Sequence, residues 1–148
     1  MTHKEKALEL FAQRFQCSQA VLAAFAEEFG LTQKQALQIG ACFGGGMCKG
    51  EVCGACAGAL MVLRLDGGYS EAGNMKSKDE TNQRAIQFLE TFAKENGSYI
   101  CRELLGCDLS TAEGKRTALE KNLFTEFCPK MVASAVEIIE TMRKEKAD

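Results

Sequence analysis

A chain of 148 residues, 46% hydrophobic and 26% charged, is long enough for one domain with its own core. A formal charge of −2 argues against a nucleic-acid-binding surface, which is usually basic. One histidine against eight cysteines argues against chemistry built on a buried imidazole and turns attention to sulfur.

The start, MTHKEKALELF, carries charges and no continuous apolar region, so a secretory signal is not expected. No apolar run approaches the ~20 residues of a membrane span. The expected location is the cytoplasm. In a reducing compartment, abundant cysteine points to metal binding or redox work more than to structural disulfides.

Leu8, Phe11 and Phe15 recur at helical spacing and predict a first helix over residues 4–15. A second opens at Cys17, with Val21, Leu22, Phe25 and Phe29 on one side and Gly30 as its stop. Thr32-Gln33-Lys34-Gln35 reads as a capping box for a third through Ile39. A glycine-rich segment then runs from Gly44 into a fourth helix, which starts near Val52 or Cys53 and ends before Asp66-Gly67-Gly68. Gly54, Ala55, Ala57, Gly58 and Ala59 crowd its first turns, and such small side chains let a second backbone or a bulky inorganic group approach.

Residues 69–78 are polar and read as a loop, followed by an amphipathic helix over 78–95 that Gly97 stops. Cys101 to Gly106 reads as a short helical turn. Ser110-Thr111-Ala112-Glu113 reads as a capping box for a short helix toward Leu123. Pro129 suits the first position of the last helix, which would make Cys128 its N-cap. Period-two alternation is absent throughout. The expectation is all-α: a single domain over residues 1–148, a bundle of six or seven helices.

On this parse Cys17, Cys53, Cys101 and Cys128 each lie at or just before a helix N-terminus. There, unpaired amides and a partial positive charge favour thiolate, the form that binds metal and attacks disulfides. Lowered pKa values are therefore expected at all four, together with convergence on one pocket. The bland alternative is that the sulfurs are small buried hydrophobes. Cys42 reads that way, and Cys107 reads as structural. Cys56 is open between packing and a resolving thiol for Cys53, since Cys-x-x-Cys at a helix start is a dithiol geometry. Cys48, in the glycine loop, reads as an accessory thiol. Arg102 and Lys130 are placed to offset thiolate charge. Gly44-Gly45-Gly46 lacks the Gly-Lys-Ser/Thr of a phosphate loop and better serves a sharp turn.

Cys17-Ser18-Gln19-Ala20-Val21, Phe43-Gly44-Gly45-Gly46-Met47, Cys53-Gly54-Ala55-Cys56-Ala57-Gly58-Ala59-Leu60, Cys101-Arg102-Glu103-Leu104-Leu105-Gly106 and Cys128-Pro129-Lys130-Met131-Val132 stand in order along the chain. These stretches resemble the C-GCAxxG-C-C family of small bacterial and archaeal redox-active proteins. The resemblance implies that Cys17, Cys53, Cys101 and Cys128 are the family's four cysteines; Cys56 occupies a variable place in the Cys-Gly-Ala-x-x-Gly box. A similar domain occurs in split-Soret cytochromes beside an iron–sulfur centre and haems. This chain has no Cys-x-x-Cys-His, so covalent haem is not implied.

Three functions follow as expectations. The first is an iron–sulfur or other thiolate metal centre on Cys17, Cys53, Cys101 and Cys128, with Cys48 as accessory ligand, for electron transfer or redox sensing. It would make the chain an oxidoreductase or an electron-transfer component of one. The second is a dithiol–disulfide protein with Cys53 attacking and Cys56, or another of the four, resolving. The third is a structural zinc site in an interaction protein. A redox partner protein is expected, and a homodimer is compatible with the sequence.

Overall fold

Thr2 opens the first helix: its hydroxyl accepts from the Glu5 amide while the Glu5 carboxylate takes the Thr2 amide, a reciprocal cap starting α1 (His3–Ala12). The computed structural model describes residues 1–147, so Asp148, the last residue of the expected 1–148 domain, lies outside them. Helix α2 (Cys17–Phe25) is the centre of the bundle. Everything from Ala20 to Phe25 is buried, so it is apolar all round rather than on one stripe. It packs on α1, on α3 (Gln33–Gly40), on α4 (Gly54–Leu65) and on the last helix, α9 (Cys128–Ala147).

The close approach of α2 and α4 explains the small residues of α4. A Cβ on Gly58 would lie 2.7 Å from the Ser18 carbonyl oxygen, so this glycine admits a neighbouring backbone. Ser18, fully buried, donates to the Gly40 carbonyl at 2.7 Å and ties α2 to the end of α3. α5 (Met75–Asn96) is polar for most of its length and buries only Phe88 and Phe92 fully. Each such burial contributes about 1.5–3 kcal/mol. α9 closes the core with Met131, Val132, Ala135, Val136, Ile138, Ile139 and Met142. The single histidine serves as a clamp: His3 stacks on Phe25 at 4.0 Å and bonds Glu28 and Glu140, fastening α1 to α9.

The all-α expectation holds, but the described residues form nine α-helices rather than six or seven. Two are short: α6 (Cys101–Leu105) and α8 (Leu123–Glu126), the second with no buried residue and hence no apolar period to read. The predicted first helix stops at Ala12. α5 begins three residues early because Asn74 caps it by accepting from the Ser77 amide. In α7 (Ala112–Glu120) the cap is Thr111, which accepts from Gly114, because Ser110 is already bonded to Asp108. Cys128 is the first residue of α9, not its N-cap. No helix among the described residues is long and apolar enough to cross a membrane.

The predicted cap at Thr32 is present, with Gln35 bonding back. Thr32→Ala is expected to cost about 1 kcal/mol, read as a lowered urea midpoint with unchanged slope.

Candidate functional site

The sulfur site is built at the meeting of two chain segments. Residues 51–53 and 99–101 run antiparallel through one bridge, Val52 with Ile100. The Cys53 amide donates to the Tyr99 carbonyl at 2.8 Å and the Cys101 amide to the Glu51 carbonyl at 2.6 Å. This pairing sets the start of α4 beside the start of α6, so Cys53 and Cys101 enter one region at 7% exposure each. Arg102 holds the same joint, donating to the Gly50 carbonyl at 3.0 Å and pairing with Glu51 at 3.1 Å. Its guanidinium is thus engaged by the loop; Lys130 is exposed.

Cys17 arrives from the start of α2. The Gln16 side-chain oxygen accepts from the amides of Cys42 and Gly44, which pulls the glycine loop onto the α2 terminus. The amides of Gly45 and Ser18 then point at the Cys17 sulfur. Gly54 leaves the room: a Cβ there would sit 2.4 Å from Cys17 Sγ and 2.7 Å from the Gly44 Cα. Cys17 thus reaches the Cys53 thiol, and Cys53 in turn meets Cys56, which is fully buried one turn into α4. Cys17, Cys53 and Cys56 are thus neighbours leading into the core.

The structure sets Cys53, Cys101 and Cys128 within electrostatic reach of Cys17. Cys101 and Cys128 each feel the charge of Cys17, and Cys128 also that of Cys101. Cys107, half-buried, lies close enough to act on both Cys101 and Cys128. The sequence carried one faint signal for it: Gly106 takes a left-handed conformation, φ +71°, and turns the chain back on α6. Gln16 was missed altogether, because a glutamine before a helix start has no distinctive signature.

Cys48 and Cys42 stand apart. Both are exposed, so Cys42 is not the buried hydrophobe expected. Its left-handed backbone, φ +74°, breaks the apolar run after α3 and turns it outward. Cys48 directs its thiol at the Cys42 carbonyl, 3.9 Å away, and not at the cluster, so its expected role as an accessory ligand finds no support in its position.

The expected lowering of thiol pKa is reversed. Cys17 is pushed well up, first because its thiol donates to Cys53 and then by burial, against the opposing amides of Gly45 and Ser18. Cys53 accepts from Cys17, which favours its thiolate, but its own bond to Cys56 and its burial outweigh this and raise it. Burial pushes Cys101 up to about 12, aided by Cys17 and Cys107. Burial, then Cys17 and Cys101, raise Cys128 to about 12. Helix-start amides are present, but desolvation and crowding of like charges exceed them. All eight cysteines are free thiols, and among the described residues no three metal-ligating side chains are gathered about one point.

No curated protein and no solved structure matches the chain significantly. The family described as "Putative redox-active protein (C_GCAxxG_C_C)" matches residues 15–142, a span that takes in all four helix-start cysteines and the loop between them. The chain belongs to this family of redox-active proteins.

Proposed function

We propose that the chain holds an iron–sulfur centre between Cys17, Cys53, Cys101 and Cys128 and uses it for electron transfer or redox sensing with a partner protein. One observation supports the reading: Cys17 lies in the electrostatic reach of Cys53, Cys101 and Cys128, which come from three other helix starts. The donor set is entirely sulfur, as a thiolate-bound cluster requires. Amides of Gly45, Ser18 and Ala55 aimed at Cys17 and Cys53 are the donors that tune such a centre. Both a cluster and a single zinc ion use four thiolates. When bound, the group would supply a one-electron couple; the chain's own part is to position the sulfurs and exclude water.

A second reading has an observation of its own. The Cys17–Cys53–Cys56 contacts suit a dithiol in which Cys56 resolves a disulfide at Cys53. The raised pKa of Cys53 weakens it, since the attacking species is thiolate.

Anaerobic reconstitution with iron and sulfide tests the proposal. Broad visible absorbance with matching iron and sulfide content is expected, and Cys→Ser at 17, 53, 101 or 128 should each abolish most of it. Cys42→Ser and Cys48→Ser should leave it intact. A folded protein that stays colourless throughout would overturn the proposal.

A further inference from the structure

Two of the eight thiols lie outside the cluster, and they lie together. Cys42 and Cys48 are both exposed, and the Cys48 sulfur rests 3.9 Å from the main-chain oxygen of Cys42. The loop joining them is held in an uncommon shape. Cys42, Met47 and Cys48 all take left-handed backbone conformations, at φ +74°, +58° and +62°. Each such non-glycine residue costs on the order of 1–2 kcal/mol, so the surrounding bonds must impose it. Those bonds are visible: Gln16 fixes the Cys42 and Gly44 amides, and the Glu51 amide returns to the Gly46 carbonyl at 3.0 Å. Gly44 and Gly46 admit no side chain there, since a Cβ would strike the Gln16 side chain at the first and the Glu51 backbone at the second.

We propose that Cys42 and Cys48 form a second, surface dithiol that is oxidised to an intramolecular disulfide by exchange with a low-molecular-weight disulfide. Cys48 gives its proton to solvent and its sulfur attacks one sulfur of the incoming disulfide, whose S–S bond breaks. The first small thiol leaves with the electron pair and takes up a proton, and a mixed disulfide stays on Cys48. Cys42 then loses its proton and attacks the Cys48 sulfur, forming the Cys42–Cys48 bond and releasing the second small thiol. The protein gives up two electrons and two protons, and the small disulfide is reduced to two thiols. Cys53, Cys56 and Cys101 do not compete for the reagent, because each is buried.

The experiment uses the full reduced chain with oxidised glutathione, acid quenching, alkylation of remaining thiols and tryptic mass mapping. Cleavage after Lys34 and Lys49 puts Cys42 and Cys48 on one peptide that contains no other cysteine. That peptide is expected to escape alkylation and to be lighter by two hydrogens, while the peptides of the buried cysteines are alkylated. In Cys42→Ser the glutathione adduct on Cys48 should persist about tenfold longer than in the wild type, because no resolving thiol remains. Stable separate adducts on both residues in the wild type, cross-links from either to another peptide, or full alkylation of both would each overturn the proposal. None of these outcomes depends on whether the buried sulfurs hold iron.

Discussion

Gly54→Ala is expected to lower stability by at least about 3 kcal/mol, more than most overpacked cores lose to one methyl. The added carbon would stand 2.4 Å from Cys17 Sγ, 2.7 Å from the Gly44 Cα and 3.0 Å from the Phe43 carbonyl oxygen. A sulfur can swing aside, but two of these three obstacles are main chain and belong to the loop that Gln16 pins down. Relief therefore requires the loop to lift away from α2, which takes the Gly45 amide off Cys17. Two readouts should move together: the urea midpoint falls, and Cys17 becomes open to alkylation. Gly97→Ala is the contrast. It meets nothing within 4 Å but sits at φ +92°, so it strains the turn after α5 without filling space and should destabilise without altering Cys17. A Gly54→Ala protein as stable as the wild type, with Cys17 still protected, would show that the packing around the sulfur is not as described.

This glycine also shows what the sequence could and could not convey. The crowding of small residues in α4 was plain, and so was the inference that something approaches closely. Which neighbour approaches at which residue was not, because that depends on the crossing of α2 and α4. Gly54 clears a sulfur; Gly58 clears the Ser18 carbonyl. Helix limits were legible where a local device sets them, as at Thr32 with Gln35 and at Gly97. They were misjudged where a long-range or competing bond decides, as at Ser110, whose hydroxyl is taken by Asp108.

The cysteines divide along the same line. Placing four of them at helix starts needed only local pattern, and the structure agrees. Their protonation did not follow, because the helix-end argument counts one favourable field and no burial. Cys53 illustrates the balance: it stands at the N-cap of α4, where the Ala55 amide favours its thiolate, yet Cys56 and desolvation prevail. Cys42 was misjudged for a related reason. It has no flanking pattern that tells inside from outside, and it turns outward on its own left-handed conformation.

The reversed thiol pKa values carry a consequence for alkaline stability. In the reduced, metal-free protein, stability is expected to decline from about pH 9 upward, the range in which ordinary thiols in an unfolded chain lose their protons. The folded chain keeps protons on Cys101 and Cys128 up to about 12. Below the unfolded value both states are protonated and no difference arises. Between the two values the unfolded state has released protons that the folded state retains, so each rise in pH favours unfolding, until ionisation in the folded state also sets in. The limiting slope is about 1.4 kcal/mol per pH unit for each thiol, reduced by whatever water reaches the pocket. Denaturation in urea across this range measures it. A Cys101→Ser, Cys128→Ser double variant keeps the size of the side chains and removes the ionisation, so it should show a clearly flatter decline. Equal slopes in the two proteins would mean that these thiols titrate in the fold as they do in the open chain, and that burial and mutual proximity do not hold their protons in place.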